Sequence, residues 1–221
     1  MKLNEKKTQF MIINYTYDYQ FNTRIHINET LLECVNKTLL LGVLIQDNLG
    51  YDGHVRLVCK KAYSRMSLIT KLIKFGASVK DLITIYIIFM RSVLEYCAVV
   101  WHSSLTLEQS QDIERVQKVA IRTILKSFDI EYSDALEKVK LERLDKRREQ
   151  LCLKFAVQCT KSEKNKDMFP LQPATNHCIR RSEKYIVPMA LTDRYKNSSI
   201  PYMANLLNKI CLLYTSDAAD E

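Results

Sequence analysis

Gly53-His54-Val55-Arg56-Leu57-Val58-Cys59-Lys60-Lys61-Ala62-Tyr63-Ser64-Arg65-Met66-Ser67-Leu68-Ile69-Thr70-Lys71-Leu72-Ile73-Lys74-Phe75 is the stretch that decides the fold. At about 100° per residue, Val58, Ala62, Met66, Ile69 and Ile73 converge on one side of a helix. Arg56, Lys60, Lys71 and Lys74 fall within about 60° of one another on the other side. The spacing therefore predicts a helix over residues 53–75 with a core face and a basic stripe, closed by Gly76 as its C-terminal cap.

Downstream, the helical period continues for about a hundred residues. Ser78 is placed to cap a second helix reaching Trp101, with Val79, Leu82, Ile83, Tyr86, Met90, Val93, Leu94 and Cys97 on its apolar face. Ile85, Ile87, Ile88 and Phe89 widen that face, so this helix is expected to be the most buried. Thr106 with Gln109 three residues later is a capping box, opening a third helix through Ile113, Val116, Ala120, Ile121 and Ile124. Further helices are expected over 133–139 and 144–159. Cys152 and Cys159, one heptad apart, share a face of the last. From 160 to 198 the periodicity dissolves and three of the four prolines occur, which predicts an extended arm; a short helical turn over 205–210 ends it.

Upstream the composition shifts to β-formers and turn residues. Strands are expected at 10–13, 21–27 and 39–45, with turns at 14–19 and 28–29. The fold class is thus α+β: a short N-terminal β-hairpin region (1–51), a mainly helical bundle (52–160) and an irregular C-terminal arm (161–210).

The 221 residues, 47% of them hydrophobic, suffice for one ordinary core with an extension. The most apolar stretch, 82–90, is shorter than the ~20 residues a membrane-spanning helix needs, and Arg91 and Glu95 follow it. No membrane span and no signal peptide are expected, which points to an intracellular protein, nuclear or cytoplasmic and not secreted. The seven cysteines have irregular spacing without a Cys-x-x-Cys pair, so they read as free thiols with no metal site. Neither Cys97 with His102 nor His177 beside Cys178 has ligand spacing. The net charge of +8 suits a polyanionic partner such as nucleic acid and equally a plain solvated surface. An unrecognised hydrolase site is disfavoured, because His26, His54, His102 and His177 are scattered and no nucleophile elbow occurs.

The last eleven residues, Cys211-Leu212-Leu213-Tyr214-Thr215-Ser216-Asp217-Ala218-Ala219-Asp220-Glu221, read as a translated sequencing adapter and are set aside like a fusion scar. Their acids mask a remainder that is more basic still.

The order of several motifs narrows the reading. Met1-Lys2-Leu3-Asn4-Glu5-Lys6-Lys7-Thr8-Gln9-Phe10-Met11 resembles the Leu-Asn-x-x-Lys-Thr-x-x-Met segment after the catalytic turn of non-LTR (LINE-type) retrotransposon reverse transcriptases. Leu40-Leu41-Gly42-Val43-Leu44-Ile45 resembles their primer-grip hairpin. Met90-Arg91-Ser92-Val93-Leu94-Glu95-Tyr96, Val100-Trp101 and Ile113-Glu114-Arg115-Val116-Gln117-Lys118 are similar to the helices after the palm. Arg194-Tyr195-Lys196-Asn197-Ser198-Ser199-Ile200-Pro201-Tyr202 looks like their terminal motif. The resemblance covers residues 1–210.

Nucleotide polymerisation needs paired carboxylates that hold two Mg²⁺ ions, and the family carries them on an aromatic-x-Asp-Asp hairpin. The chain contains no Asp-Asp. The resemblance therefore implies a fragment of an RNA-directed DNA polymerase that lacks catalytic residues and is inactive alone. No cofactor is expected in the fragment itself; Mg²⁺ belongs to the intact parent enzyme. It implies Lys6 or Lys7 near the phosphates of the incoming nucleotide, Leu41-Gly42 at the primer end, and a thumb formed by the first two helices. The row of Arg56, Lys60, Lys71 and Lys74 can neutralise phosphates without reading bases. The expected partners are an RNA–DNA hybrid or other nucleic acid, bound without sequence preference, and the missing palm of the parent; no membrane is expected. The alternative is a stand-alone helical interaction module. Glu95 is expected to pair with Arg91, and Trp101 and Tyr96 to be core aromatics.

Overall fold

The computed structural model describes residues 4, 7–14, 23–173 and 184–217, with side chains as far as residue 210. Lys6, the predicted turn at 14–19 beyond its first residue, the first two residues of the predicted strand at 21–27, and His177 with Cys178 lie outside the described residues. The fold is α+β, with short strands near the N-terminus and helices afterwards. Two compact units form, Met1–Val58 and Cys59–Glu221.

In the first unit, β1 (Gln9–Phe10) pairs in parallel with β4 (Glu33–Cys34), and β2 (His26–Ile27) pairs antiparallel with β3 (Thr30–Leu31). β5 (Lys37–Leu40) and β6 (Val43–Gln46) form the longest ladder, running from Lys37↔Gln46 to Leu40↔Val43. The single strand expected at 39–45 is therefore a hairpin, because Leu41 and Gly42 both take positive φ (47° and 86°) and turn the chain. The strand expected at 10–13 is cut to its first residue, because the parallel ladder with β4 ends at Phe10.

Helix α1 (Asp52–Lys74) starts in the first unit and continues into the second. Val58, Ala62 and Ile69 are buried and Met66 and Ile73 half-buried, as the apolar period requires. Gly76 (φ +78°) ends the helix in the left-handed region that favours glycine. Ser78 caps α2 (Val79–Ile85), its hydroxyl accepting the backbone N–H of Asp81.

The second helix is not continuous. A π-helical turn (Tyr86–Arg91) follows α2, then α3 (Ser92–Leu94), and the chain breaks at Cys97, whose φ is +51°, before α4 (Ala98–Trp101). Nor is it apolar on all sides of its burial. Leu82, Tyr86, Met90, Leu94, Ala98 and Trp101 are buried, whereas Ile88 and Phe89 are 57% and 47% exposed. A π turn widens the hydrogen-bond ring and leaves a carbonyl to be satisfied elsewhere; Arg65 of α1 donates to the Phe89 carbonyl. The run Val79–Ser104 is, by length and composition alone, long and apolar enough to cross a membrane, a property the shorter 82–90 window concealed.

Helix α5 (Leu107–Leu125) carries the expected capping box in full, Thr106 and Gln109 each bonding the other's backbone N–H. Ile113, Val116, Ala120, Ile121 and Ile124 are buried. Helices α6 (Tyr132–Val139) and α7 (Leu144–Lys161) follow, and Cys152 and Cys159 are both buried free thiols.

The described residues between 162 and 198 carry little regular structure, as expected, but they are packed, and the helix after them is longer than expected. Phe169 and Tyr185 join a buried cluster with Cys152, Ala156 and Cys159 of α7. After the short α8 (Asp193–Lys196), the chain forms α9 (Ser199–Asp217), far longer than the turn expected at 205–210. Pro201 falls within its first turn, where a missing N–H costs nothing, and Met203, Ala204, Leu206 and Leu207 are buried. The Asn208 side chain accepts the Tyr185 N–H and donates to the Tyr185 carbonyl, holding the arm to α9 as a neighbouring strand would.

Candidate nucleic-acid interface

The basic face of α1 follows from its period. Once Val58, Ala62 and Ile69 enter the core, the residues half a turn away must face water, and Arg56, Lys60, Lys71 and Lys74 are all exposed. Lys60, Lys71 and Lys74 lie in the second unit. From Lys60 to Lys74 the helix rises about 21 Å, so the ammonium groups form a line. Arg56, on the same helix in the first unit, sits 4.0 Å from Asp52 with both side chains well exposed, a pairing worth little against solvent. Lys7 is exposed beside β1 in the first unit.

The β5–β6 hairpin tip is the other sequence-derived element. Leu41 is 84% exposed and holds φ +47°. A non-glycine residue in the left-handed region costs about 1 kcal/mol, and an exposed leucine gains nothing by burial in return. Local strain of this kind concentrates at functional positions. Leu41→Asn should raise stability by about 1 kcal/mol, because asparagine tolerates this φ; a thermal melt that falls would contradict the strain.

The second unit also holds a buried polar network. Tyr86 donates to Gln117 Oε1 (2.6 Å), Gln117 Nε2 donates to the Tyr132 hydroxyl (2.9 Å) and to the Glu142 carbonyl (3.0 Å), and Tyr132 donates to Glu114. Burial pushes the Tyr86 and Tyr132 hydroxyls well above their ordinary range, so both stay protonated donors. Glu95 pairs with Arg91 as expected (3.9 Å) and more closely with Arg147 (2.6 Å). Arg147 is 52 positions away, so no local pattern pointed to it. Trp101 is buried and donates to the Tyr96 carbonyl, while Tyr96 itself is half exposed and is not a core aromatic.

Arg148 is fully buried, bonded to His102 Nδ1 (3.3 Å) and Ser110 Oγ (3.0 Å), and stands over the Trp101 ring. Burial first, then the Arg148 charge, lowers the His102 pKa to about 4, with Asp145 opposing the shift. The native state thus refuses a proton that the unfolded chain accepts near pH 6.5. Stability should be full above about pH 6.5 and decline toward pH 4, by on the order of 3 kcal/mol. Urea unfolding at several pH values checks this; a His102→Asn variant should flatten the profile.

Among the described residues, no group of three or more His, Cys, Asp or Glu side chains is placed to hold a metal ion. Burial pushes the Cys59 and Cys152 thiols up to about 11, which keeps them protonated and poor nucleophiles. A cleft of about 470 Å³ at the end of α7, lined by Thr160, Lys166, Phe169, Lys184 and Tyr185, is separate from the basic face of α1. No protein-family model matches the chain, and neither the curated proteins nor the solved structures yield a match.

Proposed function

We propose that this chain grips a nucleic-acid duplex through the basic face of α1, as the thumb and C-terminal part of a non-LTR retrotransposon reverse transcriptase, and performs no polymerisation by itself. The observation that carries the reading is the line of exposed Lys60, Lys71 and Lys74 on a helix whose opposite side is anchored in the core. A row of cations along one helix neutralises phosphates without reading base edges. The absence of an Asp-Asp pair supports binding without chemistry. Lys7 and the strained Leu41-Gly42 tip supply further contacts in this reading, and an RNA–DNA hybrid is the partner the motif order favours. The protein acts inside the cell and away from membranes, in the nucleus or the cytoplasm.

The test is fluorescence-anisotropy titration of a blunt RNA–DNA hybrid across a salt series. Binding that weakens with salt, with similar affinity for unrelated sequences, supports the proposal; no binding at low salt removes it. The second reading, a helical module that binds a protein, draws on the exposed Ile88 and Phe89.

A further inference from the structure

Phe75 is 87% exposed, the most exposed aromatic side chain among the described residues. It stands at the end of α1, where Gly76 turns the chain, and a Cβ built at Gly76 would meet nothing within 4 Å. Around the helix, Phe75 is about 40° from Lys71 and Lys74 about 60° from Lys71 on its other side. The basic line of α1 therefore terminates in an unobstructed aromatic ring.

We infer that Phe75 is a stacking platform for an unpaired base at the end of the duplex that Lys60, Lys71 and Lys74 hold, an inference that rests on the proposed nucleic-acid grip. An aromatic face beside a track of cations is the arrangement by which single strands are held without sequence readout, the ring taking the base and the ammonium groups the phosphates. A membrane surface fits less well. Lipid binding scales with the apolar area inserted, and here one phenyl ring stands out, with Val79 and Leu68 only 46% and 39% exposed. The cations, moreover, run in a line along the helix, which matches a linear polyanion better than a plane of headgroups.

The experiment compares a blunt RNA–DNA hybrid with the same hybrid carrying a short single-stranded extension that contains 2-aminopurine. The wild-type chain should bind the extended hybrid about 5- to 150-fold more tightly than the blunt one and quench the 2-aminopurine fluorescence. Phe75→Ala should lose both the preference and the quench and keep its affinity for the blunt hybrid, while Phe75→Trp should keep all three. Far-UV circular dichroism confirms that the variants fold, as an exposed side chain requires. Equal preference and quench in wild type and Phe75→Ala would overturn the inference and leave the duplex grip standing, as would a wild type with no preference for the extension. Failure of every hybrid to bind at low salt would overturn both.

Discussion

Glu114→Leu should lower the unfolding free energy by about 3 to 5 kcal/mol. The Glu114 carboxylate, 8% exposed, accepts the Tyr132 hydroxyl and the backbone N–H of Leu144, the first residue of α7, at 3.0 Å. Arg143, which precedes α7, provides no side-chain cap. A carboxylate from α5 thus does the work of an N-cap, at the end of the helix where a negative charge is favourable. It is also the first of the negative charges that offset the buried Arg148 guanidinium. Leucine would leave the Tyr132 O–H proton and the Leu144 N–H without an acceptor, while Gln117 still donates to the Tyr132 oxygen, and would leave Arg148 with less compensation in a low-dielectric core. Glu114→Gln, which keeps an acceptor of the same shape, should cost about 1 to 2 kcal/mol. Urea unfolding at neutral pH measures both. A loss below about 1 kcal/mol for the leucine variant would mean that the network is ornamental.

The second large effect concerns binding. Replacing Lys60, Lys71 and Lys74 together by Ala should weaken the hybrid roughly 100- to 1,000-fold at about 50 mM salt, since each phosphate contact releases counterions. All three side chains are exposed, so the fold should be untouched, and unfolding curves of the variant and the wild type should superimpose. Arg56 is left in place because it lies in the first unit, so that the variant probes the second unit alone. Substituting Arg at the same three positions keeps the charge and should retain most of the affinity.

What the sequence revealed depended on how local the governing physics is. The capping box at Thr106 and Gln109, the Ser78 cap and the Gly76 terminator act within one helical turn, and all three were readable as patterns. The amphipathic period of α1 likewise placed its basic residues on the exposed side, because a helix buried on one face leaves no other option. The π turn at Tyr86–Arg91 and the left-handed Cys97 were not readable. They interrupt an apolar run whose first part, α2, packs on α5 and whose last part, α4, packs on α7, and no turn residue announces them. The full length of α9 was not readable, because residues 211–217 read as part of the adapter and no helical period is assigned before 205; Pro201 proves harmless in a first turn. Tertiary partners escaped for the same reason: Arg147 for Glu95 and Glu114 for the start of α7 are separated by 52 and 30 positions. Phe75, by contrast, was visible in the helical pattern, but only its exposure distinguishes a platform from a core residue.

The most direct measurement is the slope of log Kd against log salt for the blunt RNA–DNA hybrid, taken for the wild-type chain and for the triple lysine-to-alanine variant. If the α1 line neutralises phosphates, the variant's slope should be shallower by about 2 to 3. Identical slopes in the two proteins would show that these ammonium groups touch no phosphate and would contradict the account.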